Sequence, residues 1–98
     1  MGMYDDLIVH SKHLPEEIKK YQKGWQTKSH ECYLNLLEIT ESGELYVTDT
    51  WANPNKKEKD NLTGEIEFYQ DIMDIWYCFI ALFKEGKLIH ITQIEPID

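Results

Sequence analysis

Ninety-eight residues, 42% of them hydrophobic and 12% aromatic, leave room for one domain spanning residues 1–98 with one core, and exclude both a disordered chain and a second domain. The net charge of −8 is uneven: residues 1–30 hold five lysines against four acids, residues 31–98 five lysines against fourteen acids. Every basic residue is lysine, so the planar arginine fork is absent; with an acidic field that repels phosphate, direct nucleic-acid binding is not expected and a basic protein partner is.

The start, Met1 to Asp6, carries two acids before a short apolar run and does not read as a signal peptide. The longest apolar run, Ile75 to Phe83, is nine residues, about half of the roughly 20 that span a bilayer, so no membrane association is expected. Leu7 to His10 reads as a first strand. Leu14 to Tyr21 follows with Pro15 in a first helical turn, acids early and lysines late, which predicts one or two turns of helix ending near Gly24, without a capping side chain before the proline. Trp25 lies in a polar segment, Lys23 to Lys28, and an exposed tryptophan there points to a protein contact.

Cys32 to Ile39 reads as a strand with Tyr33, Leu37 and Ile39 on one face and Leu34 and Leu36 on the other. Its partner, Leu45 to Trp51, sets Leu45, Val47 and Trp51 against Tyr46, Thr48 and Thr50. Ala52 to Asn61 is a polar loop. Gly64 to Tyr69 alternates, with Ile66 and Phe68 inward and Glu65 and Glu67 outward, and Gln70 to Asp74 reads as a connection. Trp76 to Phe83 is apolar on both faces, as an interior strand is, and pairs with Lys87 to Ile94. Two short turns, Glu41-Ser42-Gly43 and Lys84-Glu85-Gly86, place glycine third, where positive φ is expected. The fold class expected is therefore α+β and mostly β: a single antiparallel sheet, a meander of five or six strands, with one short helix.

Residues with reactive side chains are few and loosely spaced. His10, His13, His30 and Cys32 match no zinc spacing, and no metal site or cofactor is expected. Cys32 with His30, or Cys78 with His90, lacks the exposed, electropositive setting of a nucleophilic thiol, and neighbouring Ser29, His30 and Glu31 point to alternate faces of a strand. Glu65 and Glu67 share a strand face about 7 Å apart, near a glycosidase spacing, but a single-core sheet seldom offers a sugar-sized cleft.

The order of several segments resembles a group of small proteins from phages and prophages. These segments are Tyr4 to Leu7, Leu14-Pro15, Trp25 to Lys28 followed by Cys32, Ser42 to Leu45, Thr63 to Tyr69 and Phe83 to Leu88. Where that group has an acidic, leucine-containing tripeptide before the cysteine, this chain has Ser29-His30-Glu31. The resemblance brings no activity with it. It implies an accessory protein of a mobile element, acting in a bacterial cytoplasm.

Together these features predict a non-enzymatic accessory protein that binds a basic host or phage protein through Glu38, Glu41, Glu44, Asp49, Glu65, Glu67, Asp71, Asp74 and Trp25. A sharper form is an acidic inhibitor of a host defence or nucleic-acid-processing protein. The alternatives are a small metal- or ligand-binding enzyme using the His30 and Cys32 region, and a structural virion component. Self-association, if present, is expected through a strand edge.

Overall fold

The computed structural model describes residues 5–28, 35–50 and 55–96. They form one eight-stranded sheet: β1 (Asp5–Val9), β2 (Trp25–Thr27), β3 (Leu36–Ile39), β4 (Leu45–Thr48), β5 (Lys57–Lys59), β6 (Gly64–Ile72), β7 (Ile75–Lys84) and β8 (Lys87–Glu95). Across the sheet they run β5-β4-β3-β1-β2-β6-β7-β8. Every pair is antiparallel except β1 with β3, which run parallel with Leu7 opposite Leu37. The sheet is thus mixed and larger than the five- or six-strand meander expected, because β1 inserts between β3 and β2 through long-range pairing that no local signal announces.

No α-helix occurs among the described residues. The helix expected over Leu14 to Tyr21 is a single 3-10 turn, Glu16–Ile18, and another, Ser11–His13, stands just before that span. An uncapped segment this short cannot offset the cost of helix nucleation, and burying Leu14 and Ile18 in the core decides its shape instead. Lys57–Lys59, assigned to a loop by its polarity, pairs with β4 as an exposed edge strand, since an edge strand needs no apolar face. The connection expected over Gln70 to Asp74 shrinks to Met73 and Asp74, because β6 continues to Ile72, opposite Ile75.

Leu7, Val9, Trp25, Leu37, Ile39, Ile66, Phe68, Phe79, Ala81 and Phe83 lie on one face and are completely or almost completely buried. No helical layer among the described residues covers them. The sheet covers its own apolar face by curling until β4, second in the order, meets the start of β8, the last strand. Leu45 N donates to Gly86 O (3.0 Å), and Leu88 N to Gly43 O (2.7 Å), around an antiparallel bridge between Glu44 and Lys87. An eight-strand curl of this kind has an interior that side chains alone fill. Trp25 stands in the middle, edge-on to Phe68 (5.3 Å) and Phe79 (5.6 Å), and its indole N–H donates to Tyr21 O at 2.7 Å.

Both seam glycines have the positive φ expected of their turns, +86° at Gly43 and +79° at Gly86. A Cβ on Gly86 would collide with the carbonyl of Asp60, whereas one on Gly43 would meet only Leu88 Cβ at 3.3 Å. Gly43→Ala should therefore cost about 1–2 kcal/mol of unfolding free energy through left-handed backbone strain, and Gly86→Ala clearly more. Chemical denaturation of the two variants checks this ordering, and equal midpoints would contradict it.

Candidate functional site

Strand alternation sorts the side chains of β6 and β7 onto two faces. Ile66 and Phe68 point into the core together with Tyr77, Phe79, Ala81 and Phe83. The opposite face carries Glu65, Glu67, Tyr69 and Asp71 from β6, opposite Leu82, Ile80, Cys78 and Trp76 of β7 in that order. An apolar stripe along β7 thus runs beside a row of three carboxylates, and Glu95 of β8, opposite Cys78, adds a fourth on the far side.

Near the turn end of this hairpin Tyr69 and Trp76, diagonal neighbours across the strands, stack with ring centres 5.3 Å apart and planes 26° apart. Asp71, directly opposite Trp76, is exposed beside them. Tyr69, Asp71 and Trp76 join Gly24, Gln26 and Gln70 in lining a cleft of about 400 Å³. Its walls hold two aromatic rings, two side-chain amides and one carboxylate, and no basic group among the described residues. Electron-rich ring faces next to a carboxylate attract a cation.

The turn beyond the cleft is unusual. Met73 and Asp74 both have positive φ, +52° and +67°, the geometry of a two-residue turn that asparagine and glycine normally supply. Left-handed backbone at a methionine costs about 1–2 kcal/mol. The turn nevertheless holds Met73 out at 81% exposure, next to Ile75 at 46% and Trp76 at 45%. Apolar side chains displayed on a strained turn are a mark of recognition surfaces.

The acids named from the sequence do not form one patch. Glu65, Glu67 and Asp71 share the outer face of β6, and Asp74 sits on the adjoining turn. Glu38 lies on β3 and is ion-paired with Lys57 at 2.6 Å. Glu41 is exposed in the β3–β4 turn, Glu44 belongs to the seam and accepts from the Ser42 hydroxyl at 3.2 Å, and Asp49 follows β4. With β1 and β2 between them, β3 and β6 stand about 14 Å apart at ordinary strand spacing. Trp25, expected at the surface, is fully buried: its polar neighbours lie on the other side of a strand that turns Trp25 and Thr27 inward. The aromatic contact expected of Trp25 falls instead to Tyr69 and Trp76, which the sequence places in adjoining strand-like runs without showing that their rings meet.

Cys78 points to the outer face, buried under its neighbours, and its thiol donates to Glu67 Oε2 at 3.3 Å. Burial, then that hydrogen bond and the negative charges of Glu67 and Glu95, pushes the thiol up to about 11. This is the reverse of the electropositive setting a nucleophilic cysteine needs. His30 and Cys32 lie outside the described residues, and among the described residues no three His, Cys, Asp or Glu side chains are grouped to hold a metal ion. A second cleft, of about 320 Å³, lies along the seam between the first 3-10 turn and β8, lined by Lys12, His13, Glu41 and His90 among others. There His13 Nε2 lies 2.8 Å from Thr40 O and fastens the turn to the β3–β4 hairpin. No helix among the described residues is long and apolar enough to cross a membrane. No protein-family model, curated protein or solved structure matches the chain.

Two measurements follow from the thiol. With Cys32 replaced by serine, Cys78 should react with iodoacetamide at pH 8 about a hundredfold more slowly than an unburied thiol, because about one part in a thousand is thiolate. Glu67→Gln should speed the reaction by removing a charge that opposes ionisation, and an unchanged rate would contradict the assignment. Because the unfolded thiol ionises first, the stability contributed by Cys78 is present below about pH 9.0 and is lost as pH rises towards about 11.

Proposed function

We propose that this protein is a non-enzymatic protein-binding module that recognises a basic partner through the outer face of the β6–β7 hairpin. The reading is carried by the cleft in which stacked Tyr69 and Trp76 stand beside Asp71, with the exposed turn residue Met73 beyond it. A lysine or arginine side chain of the partner lays its alkyl stem against the rings and its charge against Asp71. Glu65 and Glu67 extend the same negative row along β6 and steer the approach. The partner's apolar residues then cover Met73 on the turn and the exposed part of Trp76, the kind of burial that supplies most of the affinity in such contacts.

The raised thiol at Cys78 supports the non-enzymatic part of this reading over nucleophilic catalysis. The wider setting, a phage-derived accessory protein in a bacterial cytoplasm, draws on the resemblance of its segment order to phage and prophage proteins. In its sharper form, the carboxylate row stands in for nucleic-acid phosphates on a host defence or nucleic-acid-processing protein, and Glu65, Glu67 and Asp71 are the acids best placed to do so, since they share one strand face.

A synthetic arginine-containing peptide titrated against isotope-labelled protein tests the site. Amide and indole shifts should concentrate on residues 65–76, weaken as salt rises and the Debye length falls from about 10 Å at 0.1 M to about 3 Å at 1 M, and vanish in Trp76→Ala and Asp71→Asn. A citrulline peptide should leave the spectrum unchanged. Shifts that spread over the whole surface, or that citrulline reproduces, would overturn the reading.

The turn makes a separate prediction. Replacing Met73 and Asp74 by Asn and Gly should stabilise the fold by about 1 kcal/mol while weakening the peptide's binding. Loss of stability in that variant would show that the turn is not strained.

A further inference from the structure

A third cleft, of about 320 Å³, opens beside the aromatic one and has the opposite charge. Ile8 of β1 lines it together with Lys20, Tyr21, Gln22 and Lys23 of the segment that leads into β2, and no acidic group among the described residues does. Lys23 belongs to its wall, and Gly24, the next residue, belongs to the wall of the cleft that holds Tyr69, Asp71 and Trp76. The Gln70 side-chain amide donates to Lys23 O at 3.1 Å and ties this boundary to β6. Gly24 keeps the boundary bare, since a Cβ there would press on Gln70 Oε1 at 2.9 Å. The charges on the two sides do not neutralise each other. Lys20 lies over the Tyr21 ring, 5.3 Å from its centre, and Lys20, Lys23 and Asp71 form no ion pair among the described residues. Lys19, by contrast, is paired with Glu16 at 3.3 Å.

We propose that the two clefts form one bipartite site, and that the partner segment received on the β6–β7 hairpin carries an acidic residue two positions from its arginine or lysine. This rests on the reading of the Tyr69–Trp76 cleft given above and adds the sequence chemistry of the partner. In an extended peptide, side chains two residues apart leave the same face about 7 Å from each other. One segment therefore sets its cation against Asp71 and the rings, and its carboxylate against Lys20 and Lys23 on the far side of Gly24. The same arrangement discriminates among partners. A uniformly basic segment is drawn by the net charge of −8 but brings like charge against Lys20 and Lys23, whereas a segment of alternating sign satisfies both clefts.

Peptides with a single arginine and either glutamate or glutamine two residues away, made with the second residue before or after the arginine, test this against isotope-labelled protein. In one of the two orders the glutamate peptide should bind about threefold to fivefold more tightly than its glutamine counterpart, the worth of one exposed ion pair, and should shift the amides of residues 20–23 as well as those of 65–76. The sign of the difference decides, because a net charge of −8 makes an added carboxylate weaken binding unless a cationic cleft receives it. Lys20→Gln together with Lys23→Gln should remove the preference and leave the glutamine peptide's affinity within about twofold. Both lysines are exposed, so the fold tolerates their loss. Equal or weaker binding of the glutamate peptide in both orders, or a preference that survives loss of the lysines, would overturn the inference while the Tyr69–Trp76 cleft stands. Absence of shifts at residues 65–76 with every peptide would overturn both the inference and the reading beneath it.

Discussion

The main-chain bonds between the two glycine turns, Leu45 N to Gly86 O and Leu88 N to Gly43 O, are the contact on which the rest of this structure depends. A sheet with one apolar face buries that face under helices, under a second sheet, or under itself. Among the described residues only the last is found, because the segment between β1 and β2 supplies no more than two 3-10 turns. Closing the seam places Trp25, Phe68 and Phe79 in a common interior. Opening it would expose them to water, at a cost of the order of 2 kcal/mol for each large side chain.

A fold that uses its inner face entirely for the core has only its outer face, its turns and its edges left for recognition. These surfaces are not alike. The outer side of β3 and β4 is occupied by local pairing, as the Glu38–Lys57 contact shows. The β6–β7 hairpin, by contrast, carries carboxylates, an aromatic stack and a turn whose backbone favours residues other than those it has. The same hairpin is tied to the core through Trp25 and Phe79, so the surface it presents is held on rigid strands rather than on a loop.

Local pattern made part of this structure legible and long-range pairing hid the rest. The alternation of Glu65, Ile66, Glu67 and Phe68 reports a half-buried strand, and both glycine turns have the φ their position implies. The parallel pairing of β1 with β3 has no such signature, since it depends on which distant strands meet. Trp25 was hidden by its polar neighbours: a three-residue strand is too short to show a period. Lys57–Lys59 was hidden for the opposite reason, as an edge strand with both faces in water looks like a loop. At the site, the carboxylates of β6 were readable because spacing by two fixes a common face. The Tyr69–Trp76 stack was not, because it depends on the register set by Ile72 opposite Ile75.

Native-state hydrogen exchange at the amides of Leu45 and Leu88 tests the self-closing sheet most directly. If the seam holds the core shut, both amides exchange only when the whole domain opens, with protection equal to that of Phe68 and Phe79 at its centre. Exchange at the rate of exposed turn amides, with Phe68 and Phe79 still protected, would show that the core stays buried without the seam and would contradict the account.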